Sequence, residues 1–217
     1  LRDAPVINSE DHIIPDRNQN FSDEVGDYVA QDIYQGAIHG RYMSDIWVWE
    51  RTYDHKSDFW GSILFRPDAI AKISKATLDL NRLSYEITAL QNEVPEVGIL
   101  YSEPSVLFNQ STMHVAYQSY AAAVFNGKRA KFITEKQLWK MNDCKLLIVP
   151  NTTNVTAETL ASIKEYINNG GYVLILGEKS LMKNEHDASN DKELLDFIYE
   201  HSDVVEYSGA ATRMISP

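Results

Sequence analysis

The chain begins with short apolar runs separated by a helical stripe. Residues 4–10 and residues 43–50 are each predicted to form a buried strand, because each is a short apolar run. Between them, apolar residues return every fourth position from Val25 to Ala37, as on one face of a helix. The pattern therefore predicts a strand, a helix and a strand, followed by a second helix over residues 66–91.

From residue 93 onward, strands and helices alternate on a different plan, and the polar segment at residues 92–95 is interpreted as the boundary between residues 1–92 and residues 93–217. The apolar runs here lack polar alternation, which is typical of a parallel sheet covered by helices on both faces. Strands are predicted at 97–101, 130–134, 145–149 and 172–176, with an edge strand at 204–207. Helices are predicted at 112–126, 156–168 and 191–200, with a helical turn or short helix at 135–141. This part reads as a Rossmann-like or flavodoxin-like α/β domain.

The composition narrows the possible partners. The 217 residues carry a formal net charge of −11, which repels phosphate backbones and anionic lipid, so we expect neither nucleic acid nor membrane as a partner. No apolar stretch approaches the roughly 20 residues of a membrane-spanning helix. The single cysteine, Cys144, excludes an intrachain disulfide and is interpreted as a small buried apolar residue.

Glu10 is the candidate with the most specific chemistry. A retaining glycosidase needs a carboxylate nucleophile held rigidly beneath the sugar, and the end of a strand supplies that rigidity. Asn8 is expected on the same side as Glu10, because strand side chains alternate, and His12 can hydrogen-bond Glu10 or a sugar hydroxyl. An acid in the loop after a strand is more commonly solvated or a local cap, and a lone histidine is more commonly structural, so both alternatives stay open.

The second run supplies a further cluster, formed by Trp47, Trp49, Glu50 and Arg51. Two tryptophans at alternate positions share one face of a strand, and an indole can stack on a pyranose ring and donate to a hydroxyl. Tryptophan near a barrel rim favours a site, since barrel interiors favour branched aliphatic residues, but two core tryptophans are an alternative. Glu50 and Arg51 are either substrate contacts or a plain ion pair.

The second part offers little chemistry of its own. No Gly-x-Gly-x-x-Gly follows its first predicted strand, and no phosphate-binding loop is present, so nucleotide binding is not expected. The histidines are scattered without the spacing of metal ligands. We therefore expect neither a cofactor nor a metal.

Together the pieces resemble a known family. Asn8-Ser9-Glu10, the run Ile46-Trp47-Val48-Trp49-Glu50, and Arg66-Pro67-Asp68 with its long helix resemble the last two βα units of a clan A glycoside hydrolase TIM barrel. The domain that begins at Pro95 resembles the trimerisation domain of glycoside hydrolase family 42 β-galactosidases, which is similar in fold to class I glutamine amidotransferases. The resemblance implies that residues 1–92 are the C-terminal portion of the barrel and that residues 93–217 are the trimerisation domain.

The resemblance also implies roles for single residues. The clan has its nucleophile at the tip of the seventh strand, where Glu10 matches, and a subsite tryptophan on the eighth strand, where Trp47 or Trp49 matches. The clan's acid/base glutamate follows the fourth strand, which this chain lacks. We therefore expect an inactive fragment of a β-galactosidase-like enzyme that acts on carbohydrate as a homotrimer. Amidotransferase activity is not expected, because Gly177-Glu178 stands where those enzymes have their nucleophilic cysteine.

A non-enzymatic alternative remains. The Rossmann-like part can serve only to assemble subunits, with residues 1–91 as a structural remnant. In either case, two βα units without the rest of a barrel would leave an open strand edge.

Overall fold

The computed structural model describes residues 6–14, 24–47 and 63–206. The chain divides into two compact units, Leu1–Glu93 and Val94–Pro217. Both units are α/β with parallel strands, so the fold class predicted from the sequence is confirmed. Within these residues, no helix combines the length and the apolar character that a membrane crossing requires.

The first unit consists of two strands and the helices that follow them. Its described elements are β1 (Val6–Asp11), α1 (Glu24–Ile38), β2 (Arg41–Ile46), a 3-10 turn (Ile63–Phe65), α2 (Pro67–Arg82) and α3 (Ser84–Asn92). The strands β1 and β2 pair in parallel, with α1 as the crossover. The predicted apolar face of α1 supplies the buried Val25 and Val29, which pack with Ile14, Ile63 and Ala69. Gly40 follows α1 with a φ of 93°, as expected for a helix C-cap.

The prediction that the first two strands are buried is wrong for both β1 and β2, since no residue of β2 is fully buried. Val6 is 44% exposed and Ile7 is 49% exposed, and only Asp11 of this strand is buried. The reason is that β1 has β2 as its only paired strand among the described residues. The open edge expected for two isolated βα units is therefore present in the part of the chain that the structure describes.

The second predicted helix is divided in two. Pro67 occupies the first turn of α2 as predicted, but Leu83 has φ −100° and ψ 21° and separates α2 from α3. Leu83 N–H still donates to the carbonyl of Asp79, so the two segments follow one another closely. The helical stripe of apolar residues continues across the break, and the sequence therefore predicted one helix where there are two.

The second unit is a parallel sheet of five strands in the order β4-β3-β5-β6-β7. Its strands are β3 (Val97–Tyr101), β4 (Ala130–Thr134), β5 (Leu146–Pro150), β6 (Tyr172–Leu176) and β7 (Asp203–Val205). Its helices are α4 (Glu103–Phe108), α5 (Ser111–Phe125), α6 (Ala157–Asn168) and α7 (Lys192–Glu200), with a 3-10 segment at Glu135–Asp143. Counted within the unit, this order is 2-1-3-4-5, which is the flavodoxin-like arrangement.

Both faces of this sheet bury apolar side chains. One face supplies Leu100, Leu147 and Ile175 to a cluster that also includes residues of α6 and α7. The other face supplies Ile99 and Ile148 to a cluster with residues of α5. Burial on both sides explains why the strands read as continuous apolar runs.

Side chains cap the helices at the carboxyl ends of the strands. Ser102 accepts from Ser105 N–H at the start of α4, Thr156 from Thr159 N–H at the start of α6, and Asp191 from Leu194 N–H at the start of α7. The sequence reasoning missed α4, which has only 6 residues. Its signal was nevertheless present as a serine cap followed by Glu103 and a proline in the first turn.

Candidate functional site

The end of β1 brings together three of the residues predicted from the sequence. His12 Nε2 lies 3.4 Å from Glu10 Oε1, and the Glu10 side chain is 60% exposed. The His12 ring stacks on the ring of Trp47, with 5.6 Å between the ring centroids and 28° between the planes. Trp47 is held there by its backbone N–H, which donates to the carbonyl of Asp11 over 3.0 Å. A carboxylate, an imidazole and an indole thus form one row at the strand ends.

The pairing of the two strands is irregular at Glu10. Asn8 pairs with Ser44 and Asp11 pairs with Ile46, so two residues of β1 stand opposite one residue of β2. This two-against-one count is that of a β-bulge, a feature that re-aims side chains and is frequent beside active sites. Glu10 is one of the two unpaired residues, and its side chain is exposed while that of the next residue is buried.

Asn8 is half-buried in the same strand. Its side chain makes no hydrogen bond to another residue in the described parts of the chain. The structure therefore gives no contact that joins Asn8 to Glu10. Trp49, Glu50 and Arg51, which complete the predicted site, lie outside the described residues.

Sequence reasoning missed the buried acid of this strand. Asp11 is 5% exposed, and its Oδ2 accepts from Arg41 Nη1 over 2.9 Å. Arg41 Nη2 also donates to the carboxylate of Asp32 over 2.6 Å and to its backbone carbonyl over 2.7 Å. One guanidinium therefore ties the end of β1 to α1 and to the start of β2, and this network fixes the strand end that carries Glu10.

The arrangement at the strand end suits nucleophilic or positioning work by a carboxylate. Glu10 is accessible to a ligand, His12 can hold its carboxylate oxygen, and Trp47 supplies an apolar face close by. Among residues 6–14, 24–47 and 63–206, no three His, Cys, Asp or Glu side chains come together as metal ligands would.

A second polar network lies at the strand ends of the flavodoxin-like unit. Ser102 Oγ donates to the carbonyl of Asn154 over 2.7 Å and contacts Glu135 Oε1 at 3.1 Å. Burial raises the pKa of Glu135, and hydrogen bonds from Ser102 and from the backbone N–H groups of Thr156 and Glu103 oppose that rise. These contacts join the loops after β3, β4 and β5, where flavodoxin-like folds place their ligands.

The cysteine has the character of a core residue. Cys144 precedes β5, is 6% exposed, and its thiol contacts the carbonyl of Lys140 at 3.8 Å. Burial raises its pKa to about 11, so the reactive thiolate is scarce at neutral pH. The turn after β6, where a glutamine amidotransferase has its cysteine, begins here with Gly177 at a φ of 92°.

Comparison with known proteins gives a likeness in structure only. No family model matches the sequence, and no curated protein matches it. Among solved structures, the apo exo-carrageenase GH42 from Bacteroides ovatus matches with a TM-score of 0.72 and 20% sequence identity, over 93% of this chain and 28% of that chain.

β-Galactosidases share the same fold. The β-galactosidase from Bacillus circulans sp. alkalophilus matches with a TM-score of 0.57 and 17% identity, over 76% of this chain and 26% of that one. Gan42B, a GH42 β-galactosidase from G. stearothermophilus, matches as its catalytic mutant with a TM-score of 0.55 and 20% identity, over 76% of this chain and 25% of that one.

These matches confirm the resemblance in fold to GH42 proteins that the domain order indicated. This chain spans only about a quarter of the length of each of these solved structures.

Proposed function

We propose that this chain is the C-terminal part of a retaining β-glycosidase that hydrolyses terminal β-linked galactose. The observation that carries the proposal is the position of Glu10, exposed in a β-bulge and held beside His12. The structural likeness to an exo-carrageenase and to β-galactosidases supports the substrate class. The two parallel strands would be the last two of the barrel, and their ends would face the sugar.

The proposed mechanism assigns one step to this chain. Glu10 attacks the anomeric carbon, the glycosidic C–O bond breaks, and a carboxylic acid outside this chain protonates the leaving oxygen. Water then hydrolyses the covalent glycosyl-enzyme, with the same outside residue taking its proton. In retaining enzymes the two carboxyl groups lie about 5–5.5 Å apart.

Neighbouring residues would position the nucleophile and the sugar. His12 contacts Glu10 Oε1 and can orient that carboxylate, while the indole of Trp47 offers a stacking surface. Asn8, Trp49, Glu50 and Arg51 complete the proposed subsite. This chain alone would not hydrolyse a galactoside, because the protonating partner of Glu10 is supplied by another part of the protein.

The test uses the full-length protein and an aryl β-galactoside. Glu10→Gln should abolish turnover, and a 2-deoxy-2-fluorogalactoside should label the wild-type protein on the peptide that contains Glu10. Glu86→Gln, a change of an exposed carboxylate on α3, is the matched control and should keep full activity. Turnover by Glu10→Gln, or a label on another peptide, would remove Glu10 as the nucleophile. Hydrolysis of carrageenan oligosaccharides should be measured beside hydrolysis of the galactoside. The comparison shows whether the protein acts on carrageenan, as the name of one structural neighbour states, or on a β-galactoside.

A purely structural role is the second candidate. Large apolar side chains on α4 and α5 face solvent, among them Leu107 at 83% and Phe125 at 76% exposure. On the same side of the sheet, Leu174 and Leu176 are only partly buried. These residues favour self-association of the second unit, for which we propose a homotrimer, with or without a working site in the first unit.

A further inference from the structure

A groove in the second unit has the features of a separate ligand site. It has a volume of about 620 Å³ and is lined by the 3-10 segment Glu135–Asp143 and by α6. Its aromatic and polar lining includes Trp139, Lys136, Asn142, Glu158, Ser162 and Glu165. No role in the proposed hydrolysis uses any of them.

The aromatic residue of this groove is exposed. Trp139 is 62% exposed, although it follows the buried Leu138 in the same segment. A tryptophan left in contact with water keeps an apolar ring face available to a ligand. The ammonium of Lys140 lies 6.0 Å from the ring centroid, at the outer limit of a cation–π contact, so the ring is weakly engaged.

The polar side chains around Trp139 have unused hydrogen-bonding capacity. Within the described parts of the chain, the side chains of Asn142, Glu158, Ser162 and Glu165 form neither a hydrogen bond nor an ion pair with another residue. Together they offer an amide, a hydroxyl and carboxylate acceptors in one groove.

Another cavity of the second unit differs in this respect. It has a volume of about 460 Å³ and includes Asn154, Lys183 and Asp187. Asn154 Nδ2 donates to Asp187 over 3.3 Å, and Lys183 pairs with Asp187 over 2.7 Å. These three polar groups are therefore engaged with one another, in contrast to the polar side chains around Trp139.

The charge of the groove restricts the ligand. Three carboxylates, Glu135, Glu158 and Glu165, stand against the single ammonium of Lys136 in its lining, so an anionic ligand is disfavoured. These acids do not converge as a metal site in the described residues. An uncharged ring that carries hydroxyl donors satisfies both the carboxylate acceptors and the apolar face of an indole.

We propose that this groove binds a neutral saccharide, with one sugar ring stacked on Trp139 and its hydroxyls donating to Glu158 and Glu165. The choice of saccharide rests on the proposed function, because a glycosidase meets long sugar chains that can be held away from the site of hydrolysis. The groove would retain the chain and would not cleave it.

The experiment measures binding of a β-linked galactobiose to the 217-residue chain by isothermal titration calorimetry. Binding in the millimolar range is expected, and Trp139→Ala should weaken it at least about tenfold, equivalent to about 1.4 kcal/mol. Trp139→Tyr should restore part of the affinity, and Glu165→Gln should weaken binding. Tyr117→Ala is the matched control, since Tyr117 is an aromatic residue of α5 with 61% exposure outside the groove.

The outcomes separate this proposal from the proposed hydrolysis, because galactobiose binding that is weakened by Trp139→Ala does not depend on turnover. A full-length Glu10→Gln protein that still hydrolyses the aryl galactoside would refute the nucleophile and leave the groove standing. An absence of binding across the millimolar range would refute the proposal that the groove binds a saccharide. Equal affinities of the wild type and Trp139→Ala for galactobiose would refute it too. Binding of spermine in place of galactobiose would overturn it as well, because the acids would then select a cation.

Discussion

Arg41, at the start of β2, donates from Nη1 to the buried carboxylate of Asp11, at the end of β1, over 2.9 Å. Both side chains are largely withdrawn from solvent, at 15% and 7% exposure. A second carboxylate, that of Asp32, accepts from the other nitrogen of the same guanidinium. The contact joins residues 30 positions apart and sets the geometry of the strand end that carries Glu10.

Loss of this guanidinium should destabilise the first unit. Arg41→Met leaves Asp11 as a buried charge without its partner, which costs about 3–5 kcal/mol. The measurement is hydrogen exchange of the β1 and β2 amides, which should lose protection. Arg82→Met is the control, because Arg82 is 68% exposed in its pair with Asp79 and such solvent-screened pairs contribute little to stability. Equal effects of the two changes would contradict the structural role of Arg41.

The stability of the second unit should depend on the protonation of Glu135. Burial raises the pKa of this carboxyl above its ordinary value of 4.5, so folding favours the protonated form. The resulting stabilisation is present below pH 4.5 and is lost as the pH rises through the raised pKa. The free energy of unfolding of the wild type, relative to that of Glu135→Gln, should therefore fall across that window.

Urea unfolding at a series of pH values measures this difference. Ser102→Ala supplies the internal check, because the Ser102 hydroxyl lowers the pKa of Glu135 and its removal should move the window to higher pH. A difference that is constant with pH, or that grows as the pH rises, would contradict the assigned sign.

Cys144 should react slowly in the folded chain. A rise of its pKa from 9.0 to about 11 lowers the thiolate fraction at pH 8 about a hundredfold, and burial limits access further. Ellman's reagent reports the rate directly, because Cys144 is the only cysteine in the sequence. The native rate should be at least about a hundredfold below the rate in urea. Equal rates would show that the thiol is accessible and ionised.

Self-association should depend on the apolar residues of α4 and α5. Leu107→Asp combined with Phe125→Asp should shift the proposed trimer toward the monomer in analytical ultracentrifugation, because the charges would oppose burial of that surface. Leu78→Asp is the matched control, since Leu78 is an apolar residue of α2 with 72% exposure in the first unit. A trimer that persists in the double variant would place the interface elsewhere.

The sequence predicted most of the second unit because its elements are specified locally. The strands β3, β4 and β6 have the predicted bounds, since each is an uninterrupted apolar run between polar segments. The break at Leu83 could not be predicted, because the apolar spacing continues through it. Helix α4 was missed for its length, although Ser102 and the proline after Glu103 marked its start.

The candidate site was predicted only in part. Glu10 and His12 are close in the chain, so their contact followed from the strand pattern. The ion pair between Asp11 and Arg41 could not be predicted from the sequence, because it depends on the parallel pairing of β1 with β2. The bulge at Glu10 was equally invisible, since register is a property of two strands and leaves no mark in either one alone.

Because of the bulge, folding does not require a particular side chain at position 10. Ser9 and Glu10 stand outside the paired positions of β1, and Glu10 is exposed, so a change of side chain there disturbs neither the ladder nor the core. Replacement of Glu10 by an uncharged residue should accordingly be close to thermodynamically neutral. The side chain at position 10 is then open to exchange, and the strand could present a different reactive group without first finding a compensating mutation.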